Sequence, residues 1–168
     1  MHNLASNPSK QQKLIESIDN STINDVMEND YLKACINESM RLFSTSWTSE
    51  RVAIIDDNFE SYSYPKGTII VPFFFGAHRD ENSWEDALSF KPERFIEDEK
   101  LVKSKKYFPF GAGPRMCIGN NFAMSEMIIA VREIIKTYRI EEKTSPIEIK
   151  PLITLKPKNA TLVFIPRT

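Results

Sequence analysis

Cys117 lies in the stretch Phe108 to Gly119, which reads Phe-Pro-Phe-Gly-Ala-Gly-Pro-Arg-Met-Cys-Ile-Gly and runs straight into a long apolar helical pattern. Three of the chain's five glycines, Gly111, Gly113 and Gly119, fall inside it. Glycine tolerates positive φ and close backbone approach, so such a loop can fold tightly beneath something flat and bulky. A helix that follows aims its free N–H groups and positive end back at the loop, which favours an anionic sulfur. Arg115, two residues before the sulfur, adds a cation. The chemistry these residues suggest is ligation by a thiolate together with the binding of a large anionic group. Taken alone, Cys117 reads as a small buried apolar residue, the common fate of a free cysteine. Glu38 and Arg41 form a second candidate set. They stand three apart in a helical pattern and so share a face. In isolation such a pair is a surface ion pair of little weight. His78 and His2 are the only histidines. No histidine metal site can be built from them, and a structural hydrogen bond is the expected role of His78. A cysteine hydrolase would need His78 within reach of Cys117.

The elements that must position these groups follow from periodicity and punctuation. Asn7-Pro8 predicts a helix start, with Asn7 as cap and Leu14, Ile15 and Ile18 as the apolar face of a helix over Pro8 to Ile18. Asp19 to Asn29 reads as a polar loop. Asn29 or Asp30 caps a second helix running to about Phe43, with Leu32, Ile36, Met40 and Phe43 on one side. Arg51 to Asp56 and Thr68 to Phe74 read as strands, separated by Asp57-Asn58 and a Tyr64-Pro65-Lys66-Gly67 turn. Ala77 to Lys106 is mostly loop and short helix. The helix after Gly119 carries apolar residues almost all round, which predicts deep burial. Two β-rich tail pieces, about Ile149 to Lys156 and Thr161 to Pro166, look like a hairpin joined by Pro157-Lys158-Asn159-Ala160. The fold class expected is α+β, mainly helical with small antiparallel sheets.

The length of 168 residues allows one ordinary domain with a real core. Charge is nearly balanced, with a formal net of -1, so no nucleic-acid partner is expected. The two cysteines, Cys35 and Cys117, do not suggest a disulfide framework, and a reducing, cytoplasmic setting is expected. No apolar run has the length of a membrane span. The first residues have neither the basic start nor the apolar core of a signal peptide.

Phe110, Gly113, Arg115, Cys117 and Gly119 match the Phe-x-x-Gly-x-Arg-x-Cys-x-Gly signature, and the chain resembles the cytochrome P-450 superfamily of haem-thiolate monooxygenases. The order of Glu38-x-x-Arg41, then Pro92-Glu93-Arg94-Phe95, then the cysteine loop is similar to that family as well. The resemblance covers nearly the whole chain, as a single partial domain over residues 1–168. It matches only the C-terminal, haem-binding part of the family fold: helix pair, strand pair, meander, cysteine loop, long helix and terminal hairpin. It implies that Cys117 is the axial ligand of the iron in haem b (iron protoporphyrin IX). It also implies that Phe110 packs beside the sulfur and that Arg115 meets a propionate. Arg51 would meet a propionate too, or else be a solvated strand-end arginine. Glu38, Arg41 and Arg94 would form a buried charged triad that locks the cysteine loop and has no chemical role. Physics allows this, because one carboxylate between two guanidiniums can be bonded in planar, bidentate fashion.

The activity so implied is insertion of one oxygen atom of O2 into a small apolar organic substrate. Electrons would come from NAD(P)H through a flavin or iron–sulfur donor protein. Thr45 to Ser49, with Trp47, and the tip near Leu152 and Ile153 would line the substrate pocket. Lys100, Lys103, Lys105 and Lys106 read as a solvated charge run or as a surface for an acidic electron donor. The acid–alcohol pair that delivers protons in the family has no counterpart in this sequence, so no catalytic residue is assigned. The chain then reads as one piece of a monooxygenase, completed by a separately encoded N-terminal portion or cut from a longer gene. Alternatives are an inactive remnant and a non-enzymatic haem-binding or redox-sensing protein.

Overall fold

The computed structural model describes residues 1–19, 22–143 and 147–167. Its elements, in chain order, are α1 (His2–Ala5), α2 (Pro8–Ile18), α3 (Ile23–Val26), α4 (Asp30–Leu42), β1 (Arg51–Val52), β2 (Asp57–Phe59), β3 (Tyr62–Tyr64), β4 (Ile69–Ile70), α5 (Phe74–Ala77), α6 (Arg94–Glu97), α7 (Asn120–Thr137), β5 (Tyr138–Glu142), β6 (Ile149–Pro151), β7 (Leu155–Pro157) and β8 (Leu162–Pro166). Short 3-10 turns span Glu99–Lys103 and Gly113–Arg115. The mixture of helices and small antiparallel sheets is the expected α+β class.

The two predicted N-terminal helices are present as α2 and α4. Asn29 caps α4, its side-chain oxygen accepting from the Leu32 amide at 2.8 Å. Asn7 stands at the cap position of α2, but its side chain turns back to donate to the Asn3 carbonyl. The polar stretch between the helices contains the short α3; residues 20 and 21 lie outside the described residues. Leu14, Ile18, Leu32, Ile128, Ile135 and Ile140 are among the residues of the main core, where α2, α4 and α7 meet. A second cluster around Trp84, Phe95, Leu101 and Tyr107 packs under the cysteine loop's entry.

The strands differ from expectation. The predicted strand over Arg51 to Asp56 is cut to β1, because the chain bends outward at Ile54 and Ile55, both exposed. Asp57 and Asn58, expected as a separator, form β2 and pair with β3. The expected strand from Thr68 to Phe74 ends at Ile70. Pro72 has no N–H to continue a ladder, and α5 starts at Phe74. A Cβ at Gly76 would come 2.4 Å from the Phe73 ring, so any larger residue there would push that half-exposed ring aside. The two tail pieces do not pair with each other. The first folds on itself as β6–β7, with its tip at Leu152 and Ile153, and the second, β8, pairs with β5 directly after α7. Finally, α7 is not deeply buried. It buries Ile128, Arg132 and Ile135, while Phe122 is 75% exposed.

Candidate functional site

The site is built outward from α4. Glu38 and Arg41, one helical turn apart, are both 0% exposed. Arg41 grips Glu38 with two parallel bonds, Nε to Oε2 at 2.8 Å and Nη2 to Oε1 at 2.9 Å. Arg94, at the start of α6, donates Nε to Glu38 Oε1 at 3.1 Å. The Lys91 amide donates to the same oxygen at 2.9 Å. The three residues expected as a triad are therefore brought together, with one change: Arg94 makes a single bond, through Nε, and is not bidentate. Its Nη1 donates to the Glu85 carbonyl, and its Nη2 is buried without a hydrogen-bond partner among the described residues. The remaining donors of Arg41 meet the carbonyls of His78 at 2.6 Å, Ala87 at 2.7 Å and Ser89 at 3.3 Å. The Trp84 ring lies under both guanidiniums, at 4.9 Å from Arg41 and 5.9 Å from Arg94.

His78 has the structural hydrogen bonds expected of it. It is fully buried, with Nδ1 at 2.7 Å from the Ser44 hydroxyl and Nε2 accepting from the Phe108 amide at 3.0 Å. An imidazole that accepts at Nε2 is neutral and carries its proton on Nδ1. Burial, aided by the Arg41 charge, pushes the His78 pKa down to about 4, in keeping with that neutral form. Both ring nitrogens are thus taken, which removes the cysteine–histidine dyad a hydrolase would need. Tyr107, just before the loop, donates to the Asn37 carbonyl and side chain at 3.1 and 2.9 Å.

Beyond Phe108 the loop turns on two glycines with positive φ, Gly111 at +77° and Gly113 at +70°. The Gly111 amide bonds the Phe108 carbonyl, the Met116 amide bonds the Gly113 carbonyl, and the Cys117 amide bonds the Phe110 carbonyl at 2.9 Å. The loop thus closes on itself and sets Cys117 against the backbone of Phe110. Cys117 is a free thiol and is exposed, which overturns its reading as a buried apolar residue. Ile118 is wholly exposed beside it, Met116 and Phe122 are exposed nearby, and Phe110 is half-buried. Arg115 is exposed and has no acceptor among the described residues. The other cysteine, Cys35, is buried in the core, and desolvation pushes its thiol up to about 12.

Arg51, the other arginine expected to meet a propionate, makes only local hydrogen bonds among the described residues. It is exposed on β1 and donates to Ser49 Oγ at 2.6 Å and the Glu50 carbonyl at 2.7 Å. The two segments expected to meet a substrate do come together. Trp47 Nε1 donates to the Leu152 carbonyl at 2.8 Å, and the Leu155 amide donates to the Thr45 carbonyl at 3.0 Å. Of the basic run, Lys106 lies over Trp84 at 4.9 Å and bonds the Ser83 carbonyl; Lys100, Lys103 and Lys105 are solvated. Sequence reasoning missed Ser44, Asn37 and Tyr107. No spacing signal marks them, because each acts through a partner remote in sequence.

A protein-family model described as Cytochrome P450 matches residues 1–164. The chain is 33% identical to Cytochrome P450 3A1 of Rattus norvegicus, over 99% of this chain and 36% of that protein. It is 36% identical to the mitochondrial 1,25-dihydroxyvitamin D(3) 24-hydroxylase of Mus musculus, over 99% of this chain and 34% of that protein. It therefore spans about a third of the length of these curated relatives. A crystal structure of a cytochrome P450 (CYP102L1) superposes with a TM-score of 0.87 at 28% identity, covering 99% of this chain and 41% of that one.

Proposed function

The chain belongs to the cytochrome P450 family, and from that premise we propose that it supplies the haem-ligating part of a haem-thiolate monooxygenase, with Cys117 as axial ligand. The observation that carries the reading is the exposed free thiol on a self-closed glycine loop at the start of α7. The residues present fit a haem. A lone thiol holds a metal only when the incoming group brings the remaining ligands, as a porphyrin does. Among the described residues no group of three or more His, Cys, Asp or Glu could hold a metal ion unaided. The exposed Ile118 and Met116 offer apolar surface to a flat macrocycle, and the unpaired Arg115 offers a cation to a propionate. A Cβ on Gly119 would lie 3.9 Å from the Cys117 sulfur, an ordinary van der Waals contact, so Gly119 borders the sulfur directly.

In this reading each group of the chain has a physical task. Cys117 donates electron density through its thiolate. Phe110, held by its carbonyl to the Cys117 amide, shields one side of the sulfur. Arg115 would neutralise a carboxylate of the cofactor, and Arg51 would neutralise a second one through Nε and Nη2, since its bonds to Ser49 and Glu50 use Nη1 alone. Glu38, Arg41 and Arg94 keep the scaffold and touch no substrate. Bound haem would supply activation of O2, one atom entering an organic substrate and the other leaving as water, at the expense of two electrons and two protons. The segment Thr45 to Ser49 and the β6–β7 tip would present a mostly apolar wall to a small apolar substrate. The electrons would come from NAD(P)H through a flavin or iron–sulfur protein. An N-terminal portion, separately encoded or part of the same protein, would complete the site. Two free cysteines suit a reducing, cytoplasmic setting. No described helix is long and apolar enough to cross a membrane.

The test is the reduced, carbon-monoxide-bound absorption spectrum of the chain loaded with haem. A strongly red-shifted Soret band is expected, with its complete loss in Cys117→Ala at unchanged far-ultraviolet circular dichroism. The same band persisting in that variant would overturn the assignment. A second reading, a haem-binding redox sensor without turnover, is favoured by the openness around the sulfur. It requires the band together with a thiol that oxidises reversibly and no substrate oxidation when a donor is supplied.

A further inference from the structure

The hydrogen bonds of the buried charge cluster end at the side chain of Glu38 and the backbone of Glu85, Ala87, Ser89, Lys91 and His78. Among the described residues, none reaches the loop that carries Cys117. The connection onward runs through one side chain. The His78 carbonyl is held by Arg41 at 2.6 Å, and the His78 imidazole accepts the Phe108 amide hydrogen at 3.0 Å. Phe108 is the residue on whose carbonyl the Gly111 turn closes, so it fixes where the loop begins.

We propose that His78 is the positioning residue that couples the charge cluster of α4 to the cysteine loop, setting the entry of the loop through the Phe108 backbone. This rests on the reading of Cys117 as a haem ligand and adds the part that transmits position to it. Three features argue for it. First, His78 and the residue after it are tied to α4: Arg41 holds the His78 carbonyl, and the Arg79 guanidinium donates to the Leu42 carbonyl at 2.6 Å. Second, Ser44 fixes the tautomer. It lies 2.7 Å from Nδ1 and donates its own proton to the Met40 carbonyl at 3.1 Å, so it accepts from Nδ1 and leaves Nε2 as a lone-pair acceptor. Third, the ring is enclosed by Trp84, Tyr107 and Phe108, with ring centroids at 6.4, 5.6 and 4.7 Å. An apolar side chain would fill such a cage equally well, so a histidine is explained by what its two nitrogens hold. Tyr107 anchors the neighbouring residue by its side chain, whereas His78 holds the loop backbone itself.

The experiment compares His78→Leu, His78→Gln and Ser44→Ala in the full chain. Two readouts are used: amide hydrogen exchange at Phe108, which needs no cofactor, and the reduced carbon-monoxide spectrum of the haem-loaded protein. His78→Leu should speed exchange at Phe108 by about tenfold or more, as expected for a lost buried hydrogen bond. It should also convert part of the red-shifted band to an unshifted one. His78→Gln should restore both, because Gln Oε1 takes the place of Nε2 as acceptor. Ser44→Ala frees the tautomer and should move exchange in the same direction by less, and it decides the matter if His78→Leu does not fold. Wild-type exchange in a folded His78→Leu, or in Ser44→Ala when the leucine variant is unfolded, overturns the proposal. A failure to be rescued by glutamine does the same. If Phe108 protection depends on His78 but the wild type has no red-shifted band, the coupling stands and the Cys117 reading falls.

Discussion

Glu38 accepts from Arg41 twice, from Arg94 and from the Lys91 amide, and its side chain and that of Arg41 have no access to water. Removing its carboxylate leaves the fully buried Arg41 charged and unpaired, a change that costs about 3–5 kcal/mol where one partner of a buried pair is deleted. Glu38→Ala should therefore lower the unfolding free energy measured by chemical denaturation by that much and reduce haem retention. Normal retention at normal stability would argue against any scaffold role for the cluster. His78 gives a pH signature. Its folded-state pKa is pushed down to about 4, below the ordinary value near 6.5. As pH falls from 6.5 towards 4 the unfolded chain takes up a proton that the folded chain refuses. Its contribution to stability is therefore present above 6.5 and lost across that window, with a slope of up to about 1.4 kcal/mol per pH unit. Unfolding titrations of wild type and His78→Gln should differ by this slope, and parallel curves would show that His78 does not titrate as described. The Glu-x-x-Arg spacing was legible because both residues sit on one helix. The double use of His78 was not, since its partners Ser44 and Phe108 are 34 and 30 residues away and carry no periodicity.

At the level of elements, long helices were readable and short strands were not. The helices α2 and α4 fill whole turns with apolar residues on one face, and Asn29 or Pro8 marks their starts. The strands β1 and β4 are two residues each, so their ends are decided by a bend and by Pro72, not by β propensity. The pairing of β5 with β8 joins segments on opposite sides of the β6–β7 hairpin, and nothing local announces it. The contact between Trp47 and that hairpin has a testable weight. Trp47→Phe keeps a ring against Phe73, whose centroid lies 6.1 Å away, but removes the donor to Leu152. The loss of one such bond is worth about 1 kcal/mol, or roughly a fivefold change in a local opening equilibrium. Exchange of the Leu155 amide, which is bonded to Thr45, should rise by that factor. No change would mean that the hairpin is held without Trp47.

The whole molecule leaves much apolar surface in water. Val52, Ile54, Ile55, Phe73, Ile118 and Phe122 are all more than half exposed, and the chain covers about a third of its curated relatives. Exposed apolar surface on this scale marks contact with another body. The chain by itself should bind an environment-sensitive apolar dye and sediment with a concentration-dependent mass. A sharp monomer at high concentration with no dye binding would contradict that. Charge and composition could not foretell this, because they do not say which face of α7 finds a partner. The opposite settings of the two sulfurs allow the molecule to be counted. A water-soluble disulfide reagent added to the native chain should release chromophore from one thiol per molecule, Cys117, and from a second, Cys35, only after unfolding. Once the loop has taken up a haem, the native count should fall to zero, so a bench titration of thiols would report ligand occupancy without any spectrum of the iron.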